Sequence, residues 1–150
     1  MIRSNGIAIR VPPGWDANQD ILNDGGPIAL TNFGSKYEKG GLIPSGGATI
    51  DITSVAGAAN SVADLVQRES ADSENVRTDT IQVARISATR ARYDDAFTPD
   101  LRYSNIAVYV PSGSLIFKLY LSYRGGEVQA ADFTRAFQSV LDSVRFVQEQ

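Results

Sequence analysis

From Thr78 to Tyr123 the sequence keeps to a period of two, and this limits the fold more than any other feature. Thr78–Ser87 (TDTIQVARIS), Ala88–Asp94 (ATRARYD), Leu101–Val110 (LRYSNIAVYV) and Ser114–Tyr123 (SLIFKLYLSY) read as successive strands, because alternation places every second side chain on one face of a sheet. Between the last two, VPSGSL carries Pro111, Ser112 and Gly113, the makings of a tight hairpin connection. Strands joined by short turns run antiparallel, since a parallel pair needs a crossover of a dozen or more residues.

The rest of the chain supplies further strands and two helices. Ile7, Ile9 and Val11 alternate with Ala8 and Arg10 until Pro12-Pro13 removes two consecutive amide donors and ends the ladder. The chain turns at Gly14, and Trp15, the sole tryptophan, is expected to fold back as a mostly buried plug beside Phe137 or Leu141. Ile28–Asn32 (IALTN) and Ala48–Val55 (ATIDITSV) are strand candidates, the latter with Ile50 and Ile52 on one face and Asp51 and Thr53 on the other. Gly34–Gly47 (GSKYEKGGLIPSGG) reads as a long mobile loop, and it lacks the Gly-Lys-Ser/Thr ending of a phosphate-binding loop.

Ser61 is placed to cap a helix over VADLVQRESA whose Val62, Leu65 and Val66 share a face. Asp132 is placed to cap FTRAFQSVLDSV, with Phe133, Phe137, Val140, Leu141 and Val144 at helical spacing. Burying such a stripe is worth roughly 1.5–3 kcal/mol per large side chain, so this helix belongs to the core. Phe146 and Val147 suggest a short closing strand. The expected class is α+β, a single domain over residues 1–150 with an antiparallel sheet and helices packed on it.

Composition narrows the function. The net charge of −3 and a pI near 4.9 provide no field to gather phosphate backbones, so nucleic-acid binding is not expected. The chain has no cysteine and no histidine. It therefore lacks thiolate nucleophiles, the commonest general base and the commonest metal ligand, and no cofactor is expected. Catalysis would rest on carboxylates, tyrosines or the lysines Lys36, Lys39 and Lys118. No run approaches the ~18 apolar residues of a membrane span. Met1–Asn5 leads directly into the first strand, as in a cytoplasmic chain or one whose targeting segment has been replaced by a start methionine.

Two stretches carry candidate chemistry. DANQD, Asp16–Asp20, imitates the opening of a calcium loop, but Ile21 and Pro27 stand where that loop needs glycine and glutamate. RARYDDAFTPDLRY, Arg90–Tyr103, gathers Arg92, Asp94, Asp95, Arg102 and Tyr103 toward one hairpin end. This is either a solvated set of cross-strand ion pairs or a partner-binding patch. Asp94 and Asp95 are adjacent and point to opposite faces, which disfavours joint acid–base work.

The strand closing in Pro12-Pro13-Gly14-Trp15 resembles the opening of the photosystem II extrinsic protein PsbP and its bacterial relatives, a fold found also in nuclear factors that bind the Ran GTPase. TIDITSVAGAANSVADLVQRE (Thr49–Glu69), SLIFKLYLSYRGGE (Ser114–Glu127) and FTRAFQSVLDSVRF (Phe133–Phe146) resemble, in order, the family's strand and Ser-led helix, its late aliphatic-aromatic strand and its closing helix. The resemblance implies an α-β-α sandwich, Trp15, Pro12, Pro13, Phe133 and Phe137 as structural residues, and a non-enzymatic accessory role, commonly exported. Without histidine the proposed histidine metal sites of photosynthetic members do not carry over. Without a long lysine-rich N-terminal arm, neither does docking on a photosystem. The expectation is thus an interaction domain that binds a protein partner through Arg92, Asp94, Asp95, Arg102 and Tyr103, in a compartment more in keeping with export than with the cytoplasm. The alternative is a small-molecule carrier with Gly34–Gly47 as its lid.

Overall fold

The alternating segments meet as neighbours in one large antiparallel sheet. A computed structural model describes residues 2–4, 6–17, 27–34, 36–38, 41–126 and 128–146. The described elements are β1 (Ile2–Ser4), β2 (Ile7–Ile9), β3 (Asp16–Ala17), β4 (Ile28–Thr31), β5 (Ala48–Ala56), a 3-10 turn (Ala59–Ser61), α1 (Val62–Glu69), β6 (Glu74–Val83), β7 (Ile86–Thr98), β8 (Leu101–Ser112), β9 (Leu115–Arg124), α2 (Ala130–Ser143) and β10 (Arg145–Phe146). A seven-stranded sheet has the order β3-β4-β5-β9-β8-β7-β6, and a three-stranded sheet the order β1-β2-β10. The fold is α+β and mainly sheet, with one short helix on each side of the large sheet in place of full helical layers.

The alternation decides what each side holds. Val108, Val110, Leu119 and Leu121 point to the side of α2, where they pack with Ile50 and Ile52 against Phe133, Phe137, Val140 and Leu141. Ile7 and Ile9 of β2 join this cluster, and Phe146 of β10 brings its ring to 5.2 Å from that of Phe117. The closing strand thus forms in the small sheet, though Val147 lies outside the described residues.

Several boundaries and caps differ from expectation. The break between the first two long strands falls at Ala84-Arg85, not between Ser87 and Ala88. Both residues have positive φ, 49° and 67°, the backbone of a type I′ turn without the Asn-Gly that usually marks it. Ser61 does not cap α1 with its side chain, because the preceding 3-10 turn already holds its backbone in helical geometry. Asp132 is not a cap either. The helix starts at Ala130, and Asp132 lies in its first turn, paired with Arg135. A tight hairpin joins β8 and β9 as expected, but its two turn residues are Gly113, at φ 62°, and Ser114, while Pro111 and Ser112 belong to β8.

The Pro-Pro-Gly-Trp stretch is a hinge between sheets. Trp15 N–H donates to Pro12 O at 3.2 Å and Gly14 has φ 82°, the pattern of a type II turn with proline at its second position and glycine at its third. It carries the chain from β2 in the small sheet to β3 at the edge of the large one. At that rim Trp15 is half-buried, not mostly buried, and packs against the cluster that contains Phe137 and Leu141. β2 ends at Ile9, before Val11, and Arg10 N–H donates to Ser143 Oγ at the end of α2.

Candidate functional site

The opposite face of the same strands has a different chemistry. Across β5, β9, β8 and β7, one row of directly paired residues is Thr49, Ser122, Asn105 and Tyr93, the next Asp51, Tyr120, Ala107 and Ala91, and the third Thr53, Lys118, Tyr109 and Thr89. Ala107 and Ala91 leave the space into which α1 settles with Val62, Leu65 and Val66, flanked by Tyr93, Tyr109 and Ile116. An eight-residue helix is only about 12 Å long at ~1.5 Å per residue, so it covers part of this face and no more.

Polar groups on the covered part are satisfied internally. Asn105, 3% exposed, accepts from Tyr120 OH at 2.6 Å and Ser122 Oγ at 2.8 Å, and donates to Asp95 Oδ2 at 3.0 Å and Tyr93 O at 3.3 Å. Tyr109 OH donates to Glu69 Oε1 at 2.7 Å, and Lys118 Nζ lies 3.2 Å from the same oxygen. The Lys118 ammonium also sits 4.6 Å from the Tyr120 ring centroid and 5.7 Å from that of Tyr109, within cation–π range. Burial pushes the Tyr120 phenol up to about 12 and those of Tyr93 and Tyr109 well above the usual range, so all three stay neutral and serve as donors.

Beside this network the face opens into a cleft of about 350 Å3, lined by Pro27, Ala29, Asp51, Thr53, Lys118 and Tyr120. Asp51 is half-buried there, and no described residue makes a hydrogen bond or ion pair to its carboxylate. Burial raises its pKa to about 6 against the opposing pull of the Lys118 charge. From the other side Tyr37 comes near enough for the Asp51 charge to raise its phenol pKa, behind the larger effect of burial.

Tyr37 belongs to the glycine-rich segment, and the described part of that segment is fastened down. Ile43, 5% exposed, donates its N–H to Tyr103 OH at 2.9 Å and accepts from Arg124 Nε at 2.7 Å, while Arg124 pairs with Glu38. Asn32 bridges Gly46 O at 3.1 Å and Ala48 N–H at 2.8 Å. At Gly47 a Cβ would lie 2.8 Å from the Phe33 ring, so one glycine serves close packing where the sequence suggests mobility. Lys39 lies outside the described residues, as do Asp20 and Ile21 of the calcium-loop imitation; Asp16 and Ala17 form β3.

The hairpin patch does not form one surface. Arg92, Asp94 and Arg102 point to the α2 side, and Asp95 and Tyr103 to the α1 side. Asp95 is engaged by Ser73 Oγ at 2.6 Å and by Asn105, Asp94 accepts from Asn75 at 3.0 Å, and Arg102 pairs with Glu74. Tyr103 anchors the loop. Arg92 lies directly across from Arg77 and with Asp94 borders a second cleft of about 250 Å3. The sequence places Asp51 on the polar face of its strand and counts Lys118 among three lysines, but assigns no role to Asp51, Tyr120 or Asn105. The sequence signal for Lys118 and Tyr120 is their interruption of the aliphatic strand SLIFKLYLSY; Asp51 and Asn105 have none beyond alternation.

No protein-family profile matches the chain, and no curated protein matches it in sequence. Solved structures share its fold. One, from Bacteroides thetaiotaomicron VPI-5482, aligns over 99% of this chain with a TM-score of 0.58 and 12% identity. This chain spans about half of that one, 48%. The second is LpqN of Mycobacterium tuberculosis, described as involved in cell envelope biogenesis; it aligns over 95% of this chain and 83% of its own length, with a TM-score of 0.55 and 11% identity. At such identities the likeness is one of fold. Among the described residues no helix is long and apolar enough to cross a membrane.

Proposed function

We propose that the chain is a non-catalytic binding domain of PsbP-like type that holds a small ligand in the cleft on the α1 face. The observation that carries this reading is Asp51, a half-buried carboxylate in an open cleft with no hydrogen-bonding partner among the described residues. A half-buried carboxylate with no hydrogen bond from a described residue is open to a ligand, and groups whose pKa is so perturbed gather at functional sites. The cleft volume falls at the lower end of the ~300–1,000 Å3 range of small-molecule sites. Lys118 is engaged by Glu69 at 3.2 Å and turned over two tyrosine rings, an arrangement that suits carriage better than catalysis. The described part of Gly34–Gly47 is tied to Tyr103 and Arg124 and comes near Asp51 through Tyr37, which suits a fixed neighbour of the cleft more than a lid. The likeness to LpqN supports an extracytoplasmic, cell-envelope setting. A protein partner at the Arg92–Tyr103 hairpin is the weaker reading, since its residues divide between two faces.

The test is native mass spectrometry of freshly purified protein, with thermal-shift measurements across a metabolite panel. A bound mass or a ligand-dependent rise in Tm is expected for the wild-type chain. It should be absent from Ala29→Phe, which fills the cleft while its circular dichroism stays native. A clean apo mass with no shift from any compound would sink the proposal.

A further inference from the structure

Resting on that reading of the cleft, we infer that its ligand is a small organic cation, a primary ammonium on an apolar body, with the ammonium on Asp51 and the body against Pro27 and Ala29. Charge balance points this way. Three ionised side chains border or reach the site: Asp51, Lys118 and Glu69. Lys118 lies 3.2 Å from Glu69 and over the tyrosine rings while also attracting Asp51, so one cation serves two carboxylates and the three charges sum to one negative. An anionic ligand would add to this excess, and on the same face Arg124 is already engaged by Glu38 and Ile43 O.

Hydrogen bonding agrees with charge. The Asp51 carboxylate offers acceptors and lacks donors, and Thr53, two residues along the same face, adds a hydroxyl that can accept. An ammonium supplies donors alone, and a charge-assisted N–H···O bond is about twice as strong as a neutral one. The raised pKa of Asp51 reports the desolvation that such a ligand would relieve. The apolar lining, Pro27 and Ala29 on one side of Asp51 and Tyr120 on the other, suits an alkyl or aryl body.

Calorimetric titration of the full chain at about pH 7.5, where Asp51 is ionised, tests this with hexylammonium chloride, 1-hexanol and sodium hexanoate, which share a body and differ in head group. Hexylammonium is expected to bind at least about tenfold more tightly than either of the others. Asp51→Asn, similar in shape and uncharged, should erase that preference, and Ala29→Phe should abolish binding. Equal binding of the three probes, lost in Ala29→Phe, would overturn the cation inference and leave the cleft reading standing. Retention of the preference in Asp51→Asn would overturn it too. So would failure of hexylammonium to bind, in which case the native mass measurement alone decides whether the cleft is a ligand site.

Discussion

The two faces of the seven-stranded sheet are cut from the same strands, yet they are built for different ends. On the α2 side the inward residues are aliphatic, and Ile28, Leu30, Ile50, Val108, Val110, Leu119 and Leu121 have no measurable exposure. A fourteen-residue helix and the small sheet seal them. On the α1 side the same strands present three tyrosines, an asparagine hub, a lysine and an aspartate, under a helix of eight residues. One residue of offset along a strand separates Leu119 from Lys118 and Ile50 from Asp51. The lesson is a division of labour: one face supplies the hydrophobic free energy that lets the other keep a poorly satisfied carboxylate.

The largest expected effect tests that division. Leu119→Ala removes a fully buried side chain from a sealed face and should cost about 3–5 kcal/mol. Leu65→Ala on α1, 9% exposed at a partly open face, should cost nearer ~2 kcal/mol because the short helix can settle into the gap. Urea unfolding with an unchanged m-value measures both. Equal losses would break the comparison and make the α1 side a second core of equal weight.

How much of this was legible in the sequence follows from what each pattern encodes. Alternation names the strands and their faces, so the hairpin at Gly113, the α2 stripe and the antiparallel sheet were readable from Val108, Leu119, Phe133 and Phe137. Turns made without glycine were not: Ala84 and Arg85 adopt φ > 0 at about 1–2 kcal/mol per residue, a strain that the flanking ladder offsets and local composition does not signal. The site was hidden for a different reason. Asp51, Tyr120 and Lys118 come from strands far apart in sequence, and only the β5–β9 register brings them together. The hairpin residues Arg92, Asp94, Asp95, Arg102 and Tyr103 show the opposite limit: they are near in sequence, but a sheet divides sequence neighbours between its faces.

A smaller effect, of opposite sign, comes from Asp51 itself. Its pKa is about 6 in the folded chain and near 3.8 in an unperturbed aspartate, so between these values the native state binds more protons than the unfolded one. Wild-type stability should therefore fall as pH rises from about 4 to about 6, then stay level as far as this group decides. The groups facing it are Lys118 and Tyr120 on β9, Tyr37 from the loop and, through Lys118, Glu69 on α1. Asp51→Asn should remove the slope and, without ligand, raise stability by about 1–2 kcal/mol at neutral pH, discounted for partial solvation. Unfolding curves at a series of pH values measure it. A variant that is destabilised equally at every pH would mark Asp51 as a structural group and sharpen the case against a division between the faces.

The smallest effect concerns what closes the α1 face at its far end. Tyr103 OH accepts the Ile43 N–H at 2.9 Å, and Tyr103→Phe deletes that acceptor while keeping the ring and its edge contact with Phe97. The net loss in global stability should be about 1 kcal/mol, typical of one hydrogen bond to a partly buried amide. The local effect should be clearer. Exchange of the Ile43 amide should speed up by about tenfold, the equivalent of ~1.4 kcal/mol of local protection, with little change at Leu119. Arg124 Nε still holds Ile43 O, and the buried Ile43 side chain still packs, so the segment should stay seated. If Ile43 exchange were unchanged, packing alone would hold the described part of the loop, and this end of the α1 face would owe its order to hydrophobic burial, as the α2 face does. If exchange rose across the described part of Gly34–Gly47 and hexylammonium binding weakened with it, Tyr103 would be a positioning residue for the cleft, and the polar side of the sheet would depend on single hydrogen bonds where the apolar side depends on area.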